Sequence, residues 1–252
     1  MKRKIFLAFT IALVWAGSLH ASENNSKGEF IQIKGSNGNL YRAYVSGPAD
    51  AKLGVLFVHD FFGISNAVLE SVERLGALGY RTIAIDLYKG QSATTNDSAN
   101  ILMQSKDSAE TVITLQAGID YLKKQGRSLV AIGFSAGGVD AMNATLLEPD
   151  LFSATIIVYG GGYDKIRQSR LDNLKNPVLA ITGSLDNWPL QAGFNFLANE
   201  KSKSFEFFVY PQADHGYAQP LFNGGRNYNP EATKMTWNLM EEFIRQHAGK
   251  HV

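Results

Sequence analysis

The chain has 252 residues, 24 Lys and Arg against 23 Asp and Glu, and no cysteine. Its near-neutral charge argues against a nucleic-acid-binding protein, which needs clustered cations for phosphate contacts. Without cysteine there can be no disulfide framework, thiolate metal site or cysteine nucleophile, so any catalysis must use oxygen and nitrogen groups.

The amino-terminal end has the pattern of a secretory signal peptide. Basic residues at positions 2–4 precede an apolar run at 5–16, and small residues follow as far as Ala21. The apolar run is shorter than the roughly 20 residues that a membrane-spanning helix needs. We therefore expect residues 1–21 to be removed, which leaves residues 22–252 in the periplasm or outside the cell, without a stable membrane anchor. An uncleaved amino-terminal anchor is the alternative.

From Glu29 onward, strand-like and helix-like segments alternate. Short apolar runs predict strands, and apolar residues at helical spacing predict helices. The strands are predicted at residues 30–34, 40–45, 53–58, 82–85, 129–132, 155–159, 178–182 and 205–210, and the helices at 68–78, 108–124, 137–147 and 231–246. An Asn-Gly turn at Gly38 joins the first two strands as a hairpin. The alternation predicts an α/β fold, a mostly parallel sheet with helices on both faces and an antiparallel hairpin at its start.

No internal repeat and no linker-like segment divides this region, so a single domain is predicted. Two polar segments, residues 89–98 and 223–230, follow strand ends or lie in loops that could form a site. Binding residues tend to collect in such loops. Ordinary surface loops are an equally good interpretation.

The sharpest local signal is Gly133-Phe134-Ser135-Ala136-Gly137-Gly138, between a predicted strand and a predicted helix. In a nucleophile elbow, the serine lies on a sharp strand-to-helix turn, and glycines on either side allow close backbone packing. The letters alone are weak, because a tight turn rich in Gly and Ser has the same pattern. The position between strand and helix strengthens the signal, and it makes Ser135 the candidate nucleophile.

A serine hydroxyl needs a histidine to take its proton and a carboxylate to orient that histidine. In this kind of site the order along the chain is Ser, acid, His. His215 has the right order and follows the predicted strand 205–210, which places it at the same sheet edge as Ser135. His59 precedes Ser135, and the last two histidines lie in the carboxy-terminal tail. A capping or surface role is the alternative for His215.

Asp186 is the candidate acid because it directly follows the predicted strand 178–182. Asp214 is the second choice, since it adjoins His215 and cannot easily turn its carboxylate onto the neighbouring ring. The other aspartates between Ser135 and His215 are interpreted as solvated surface residues; they are Asp140, Asp150 and Asp172.

A tetrahedral oxyanion needs two backbone donors, one after the nucleophile and one in the loop after the third strand. The amides of Ala136 and Phe61 fit these two descriptions. The side chains of Phe61 and Phe62 can equally be interpreted as core or pocket lining.

From about residue 31 to residue 244 the chain resembles the dienelactone hydrolase family of α/β-hydrolases. The segments that match are His59-Asp60-Phe61-Phe62-Gly63, Asp86-Leu87-Tyr88, the turn at Ser135, the Asp186 loop and Tyr210-Pro211-Gln212-Ala213-Asp214-His215-Gly216-Tyr217. The resemblance implies a triad of Ser135, His215 and Asp186. It also implies hydrolysis of an ester or lactone without metal or cofactor.

The chain departs from the family's known members at four places. The best-known members have a cysteine as nucleophile and a glutamate where Asp60 stands, so Asp60 is interpreted as a candidate site residue that orients its loop. Lactone-specific members hold a substrate carboxylate with two arginines, whereas Lys89-Gly90 and Ala218-Gln219 occupy those regions here. Without bidentate clamps a carboxylated dienelactone loses charge-assisted anchoring, so it is not the expected substrate.

The sequence therefore predicts an exported serine hydrolase for small or medium carboxylic esters. Phe62, Tyr88 and Trp188 are candidates for lining its pocket, although Trp188 could equally pack around the sheet edge. Two alternatives stay open. One is another acyl-group enzyme, such as a thioesterase, peptidase or acyltransferase, and the other is an inactive relative that serves as a periplasmic binding protein.

Overall fold

The computed structural model describes residues 4–7, 27–124, 126–199, 204–220 and 222–248. The strands are β1 (Lys4–Leu7), β2 (Glu29–Lys34), β3 (Leu40–Ser46), β4 (Leu53–Val58), β5 (Arg81–Ile85), β6 (Ser128–Phe134), β7 (Phe152–Val158), β8 (Val178–Gly183) and β9 (Phe205–Tyr210). The helices are α1 (Asn66–Ala77), α2 (Asn96–Gln104), α3 (Ser108–Leu122), α4 (Gly137–Leu147), α5 (Gln168–Leu171), α6 (Asn187–Asn199) and α7 (Pro230–Ala248).

The described strands form one nine-stranded sheet in the order β1-β9-β8-β7-β6-β4-β5-β3-β2. β2 and β3 are an antiparallel hairpin, and β3 also pairs antiparallel with β5. All other neighbours are parallel. The predicted α/β fold, with a mostly parallel sheet and an antiparallel hairpin at its start, is confirmed.

The sheet is covered on both faces. In β4, which is buried along its whole length, Val55 and Phe57 pack in the cluster that contains α1 and α7 residues, whereas Leu56 and Val58 pack in the cluster with α2, α3 and α4 residues. A strand with apolar side chains on both faces is typical of a parallel sheet between two helical layers. The carboxyl ends of these parallel strands therefore meet at one edge, where the loops that follow them gather.

Three helices were not predicted, namely α2, the four-residue α5 and α6. For α2 and α6 there is a physical reason. α2 occupies part of the polar segment 89–98 and is started by a capping box, in which Thr95 and Ser98 exchange hydrogen bonds of 3.2 Å. α6 carries Pro189 in its first turn, where proline is tolerated. It also carries Gly193, where an added Cβ would lie 2.2 Å from the Phe207 ring. Helix-breaking residues therefore mark a tight helix-to-sheet contact here.

The edge strand β1 lies within the segment that was predicted to be a signal peptide, and it pairs parallel with β9. Residues 1–3 and 8–21 of that segment lie outside the described residues, so the signal peptide stays a prediction. Among the helices of the described residues, none is both long and apolar enough to span a membrane.

Candidate active site

Ser135 occupies the sharp turn between β6 and α4. Its φ of 52° lies in the left-handed region, which is strained for a residue with a side chain. The Ser135 N–H donates to the Val158 carbonyl at 2.9 Å, and the Gly138 N–H donates to the Ser135 carbonyl at 3.0 Å. These bonds hold the strained turn and leave the hydroxyl at the sheet's carboxyl edge.

The glycines around Ser135 are required by close backbone contacts. A Cβ at Gly133 would lie 2.2 Å from the Gly137 carbonyl oxygen. A Cβ at Gly137 would lie 2.4 Å from the carbonyl oxygen of Val58 and 2.5 Å from that of His59. The helix after the nucleophile can approach β4 this closely only because both positions lack a side chain.

His215 links Ser135 to Asp186. Its Nε2 lies 2.7 Å from Ser135 Oγ, and its Nδ1 lies 2.6 Å from Asp186 Oδ2. Because a carboxylate can only accept, Nδ1 carries the proton of the neutral ring, and Nε2 is free to accept from the serine hydroxyl. The Asp186 side chain is 8% exposed, so little solvent competes for its bond to the ring. A serine hydroxyl bonded to a base that a carboxylate orients can act as a nucleophile.

The other aspartates have different surroundings. Asp214 Oδ1 accepts the backbone N–H of His215 at 2.7 Å, so its carboxylate is bound to the backbone rather than to the ring. Asp150 and Asp172 are exposed, as predicted from the sequence. The interpretation of Asp140 as a solvated residue was wrong, because it is buried and lies 2.6 Å from Lys106 Nζ. Its partner comes from the corner between α2 and α3, a contact that local sequence patterns do not show.

The His215 imidazole is surrounded by aromatic rings. The ring centroids of Tyr159, Phe222 and Trp188 lie 5.3, 5.8 and 6.1 Å from that of His215. The His215 carbonyl accepts a hydrogen bond of 2.9 Å from Asn227 Nδ2, in the polar segment 223–230. That segment therefore supports the histidine, whereas Tyr159 and Asn227 carried no sequence signal of their own.

The backbone N–H groups of Phe61 and Ala136 have no acceptor within the part of the chain that the structure describes. In the loop after β4, the neighbouring N–H groups turn toward Asp60: that of Phe62 donates to Asp60 Oδ1 at 2.7 Å and that of Gly63 to the Asp60 carbonyl at 3.2 Å. The Phe61 N–H, which directly precedes these two bonded groups, has no acceptor among the described residues. The two unused amides are the ones expected to bind an oxyanion.

Asp60 is completely buried, and its Oδ2 accepts no hydrogen bond from any described residue. Burial raises the pKa of its carboxyl to about 7, although the Phe62 N–H and the charge of His215 act in the opposite direction. The bond to Phe62 agrees with a role of Asp60 in orienting its loop. Asp60 is therefore a buried carboxyl that titrates near neutral pH.

We expect Asp60→Asn to change how stability depends on pH. The unfolded carboxyl titrates near 3.8 and the folded one near 7, so between these values only the folded chain keeps the proton. Folding stability must then fall as pH rises through this window and level off above it. The asparagine oxygen can still accept from the Phe62 N–H, but the side chain cannot ionise. The folding stability of the Asp60→Asn variant relative to wild type should therefore rise by up to about 4 kcal/mol between pH 4 and pH 7.

Urea unfolding across that pH window measures this difference. The matched control is Asp150→Asn, which removes an exposed carboxylate and should leave the pH dependence unchanged. Parallel stability curves for wild type and Asp60→Asn would contradict the raised pKa.

A cavity of about 240 Å³ adjoins Ala136. Besides Ala136, its walls are His59, Asp60, Leu87, Tyr88, Met103, Lys106, Val139, Asp140, Gly161, Gly162 and Trp188. Tyr88 and Trp188 therefore lie where the sequence suggested. Phe62 does not line this cavity; its buried ring packs edge-on against Phe222, with the centroids 5.1 Å apart. Most of the wall is apolar, and the Lys106–Asp140 pair forms its charged part.

The described residues contain no group of three or more His, Asp or Glu side chains arranged to hold a metal ion.

Comparison with known proteins shows the family and the fold of this chain. Residues 41–248 match the model of the dienelactone hydrolase family. A curated relative, carboxymethylenebutenolidase 1 of Cupriavidus pinatubonensis, is 24% identical, with 81% of this chain and 90% of the relative covered.

Solved structures include the dienelactone hydrolase-like promiscuous phosphotriesterase P91 from metagenomic libraries, with a TM-score of 0.72, 20% identity, and 87% of this chain and 98% of that chain covered. The dienelactone hydrolase of Anabaena variabilis gives a TM-score of 0.68, with 20% identity and coverage of 88% and 99%. At this level of identity the solved structures show the shared fold, and the family assignment comes from the match over residues 41–248.

Proposed function

Since this chain belongs to the dienelactone hydrolase family, we propose that it hydrolyses small or medium carboxylic esters through an acyl-enzyme on Ser135. Membership of this family makes the chain a carboxylic ester hydrolase, so the proposal concerns its catalytic groups and its substrates. The observation that carries it is the hydrogen-bonded series from Ser135 through His215 to Asp186, with distances of 2.7 and 2.6 Å.

The geometry supports a two-step reaction. His215 Nε2 takes the proton from Ser135 as Oγ attacks the ester carbonyl, and Asp186 stabilises the imidazolium that forms. The carbonyl oxygen becomes an oxyanion, which the N–H groups of Phe61 and Ala136 stabilise. His215 then gives its proton to the departing alkoxide. Water, deprotonated by the same imidazole, releases the acid and restores the serine.

The size of the cavity supports small or medium substrates. An apolar cavity of about 150 Å³ can hold a benzene molecule. The 240 Å³ beside Ala136 is therefore enough for a phenyl ring or a short branched chain on one side of the ester, but not for a long fatty chain.

The charges around the cavity support uncharged esters. Lys106 on its wall is already paired with Asp140, and Lys89 is exposed outside it. Ala218 and Gln219, where lactone-specific relatives are expected to carry an arginine, are buried without charge. Among the described residues of the cavity wall, a substrate carboxylate would thus find no planar bidentate partner.

A labelling experiment and a substrate panel test the proposal. A fluorophosphonate probe should label the wild-type protein on Ser135 and leave Ser135→Ala unlabelled. We expect p-nitrophenyl acetate and butyrate to be cleaved much faster than p-nitrophenyl palmitate, a matched butyryl thioester or butyryl p-nitroanilide. Faster cleavage of the thioester or the anilide would identify a different acyl-group enzyme. Absence of both labelling and turnover would indicate an inactive binding protein.

We also propose that the protein is exported. The support is the basic, apolar and small-residue pattern of residues 1–21. The molecular mass of the protein recovered from the periplasm or medium would show whether cleavage follows Ala21. Recovery of the protein from the cytoplasm alone would contradict export, and an intact Met1 on exported protein would identify an uncleaved anchor.

A further inference from the structure

From the hydrogen bonds of its buried ring, we infer that His59 is a positioning residue. It ties the loop that carries the Phe61 amide to the loop after β5, and so holds that amide in place for the oxyanion. The inference rests on the proposed function, because it assigns a role within the same site. His59 was set aside at the level of sequence because it precedes Ser135 and so could not be the base.

Both nitrogens of the His59 ring are bonded to backbone. The side chain follows β4, and the residue is 2% exposed. Nε2 lies 3.1 Å from the Leu87 backbone nitrogen, and Nδ1 lies 2.7 Å from the Asp60 carbonyl oxygen. Because the Leu87 N–H can only donate, Nε2 must accept, and Nδ1 therefore carries the proton and donates to Asp60. One neutral tautomer satisfies both bonds.

Burial favours that neutral form. Desolvation lowers the pKa of His59, against the opposing effects of its bond to Asp60 and of the nearby carboxylates Asp86 and Asp140, while Lys106 acts in the same direction as burial. A second proton on Nε2 would put two donors face to face at Leu87. The ring is thus suited to a fixed structural link and not to proton transfer.

The loop after β5 is a firm anchor for this link. The Asp86 carboxylate accepts from the N–H groups of Tyr88 and Gly90, each at 2.8 Å, and the Asp86 N–H donates to the Arg42 carbonyl at 3.1 Å. The Tyr88 ring also packs on the His59 ring, with centroids 4.7 Å apart. The Asp86-Leu87-Tyr88 segment is therefore held by its own network before His59 reaches it.

The loop after β4, which carries the Phe61 amide, depends more on such support. It has no regular secondary structure, and within it Asp60 organises the amides of Phe62 and Gly63. His59 holds the carbonyl of that same Asp60 and connects it across the sheet edge to Leu87. Loss of the ring would remove the side-chain link that joins the Asp60 carbonyl to Leu87. The next tie to the loop after β5 lies one residue beyond Phe61, where the Ala93 N–H donates to the Phe62 carbonyl at 2.9 Å.

Misplacement of an oxyanion donor affects the transition state more than the bound ester. A shift of about 1 Å can cost about 10²-fold in rate, and removal of one donor costs about 10²- to 10³-fold in kcat. We therefore expect His59→Leu to lower kcat by about 10² while KM stays nearly unchanged.

Two polar variants test the link itself. Glutamine can place an acceptor near the position of Nε2 and keep the bond to Leu87, whereas asparagine can place a donor near Nδ1 and keep only the local bond to Asp60. We expect His59→Gln to retain most of the wild-type kcat and His59→Asn to lose nearly as much as His59→Leu. A trifluoromethyl ketone, which forms a tetrahedral oxyanion on the serine, should lose affinity in the same order.

The control is Thr145→Val, which removes a buried hydroxyl bonded to Ala141 and Thr155 within α4 and β7, away from the site. It should lower stability in urea without changing kcat. If His59→Leu does not fold, the comparison of glutamine with asparagine still decides. Equal kcat values for wild type and the folded asparagine variant, or a rise in KM with unchanged kcat, would overturn the inference. A wild-type protein that cleaves no ester would instead contradict the proposed function.

Discussion

Replacing Ser135 with alanine is expected to lower kcat/KM for p-nitrophenyl butyrate by about 10⁶-fold. The reason is that Ser135 Oγ is the atom that His215 Nε2 faces at 2.7 Å, and no other hydroxyl is bonded to that nitrogen among the described residues. The two amides of the oxyanion site and the cavity would remain, so some acceleration over water should persist. Steady-state kinetics on purified, folded protein measure the loss.

Ser128→Ala is the matched control, because Ser128 bonds to Ser153 near the opposite end of β6. It removes a serine hydroxyl at the start of β6, whereas Ser135 directly follows the end of that strand, and it should keep wild-type turnover. Calorimetry should show that both variants are folded. Substantial turnover by Ser135→Ala would rule out the acyl-enzyme mechanism, while equal losses in both variants would point to a general effect on folding.

Replacing Asp186 with asparagine is expected to lower kcat by about 10⁴-fold. An amide nitrogen facing His215 Nδ1 would favour the tautomer with its proton on Nε2, and that nitrogen could then no longer accept from Ser135. The amide would also be unable to stabilise the imidazolium. Fold and substrate binding should change little, since asparagine has nearly the same volume.

Asp214→Asn provides the comparison. The asparagine side-chain oxygen could still accept the backbone N–H of His215, which Asp214 Oδ1 accepts at 2.7 Å in the wild type. We expect this variant to stay close to wild type. Measuring kcat for both variants over a range of pH distinguishes loss of the catalytic base from a shift in the pKa of that base. The opposite ranking would assign the acid to Asp214.

Much of the fold could be predicted because apolar runs identify strands that are buried on both faces, as in β4. That Ser135, Asp186 and His215 meet was predictable from the same strands. Each residue follows a parallel strand, and the carboxyl ends of these strands lie at one edge of the sheet. Helix α6 was not predicted because Pro189 and Gly193 weaken the helical pattern, although the glycine is needed for contact with Phe207.

The remaining errors concern side-chain partners far apart in sequence. The sequence around Asp140 resembles that of a surface residue. Lys106 reaches Asp140 from another element, and its charge offsets the cost of burying the carboxylate. His59 was judged only as a candidate base, and its bond to Leu87 depends on how β4 and β5 lie side by side. Phe62 was interpreted as core or pocket lining, and its packing on Phe222 depends on a loop 160 positions later in the numbering.

The left-handed backbone of Ser135 has a consequence for how this site is maintained over generations. At a φ of 52°, glycine would be relieved of a strain of about 1–2 kcal/mol that any residue with a Cβ must bear. A population selected only for thermal resistance should therefore drift toward glycine at this position and lose the hydroxyl. Persistence of serine in descendants of this chain would then be a record of selection for turnover, acting against the conformational preference of the backbone.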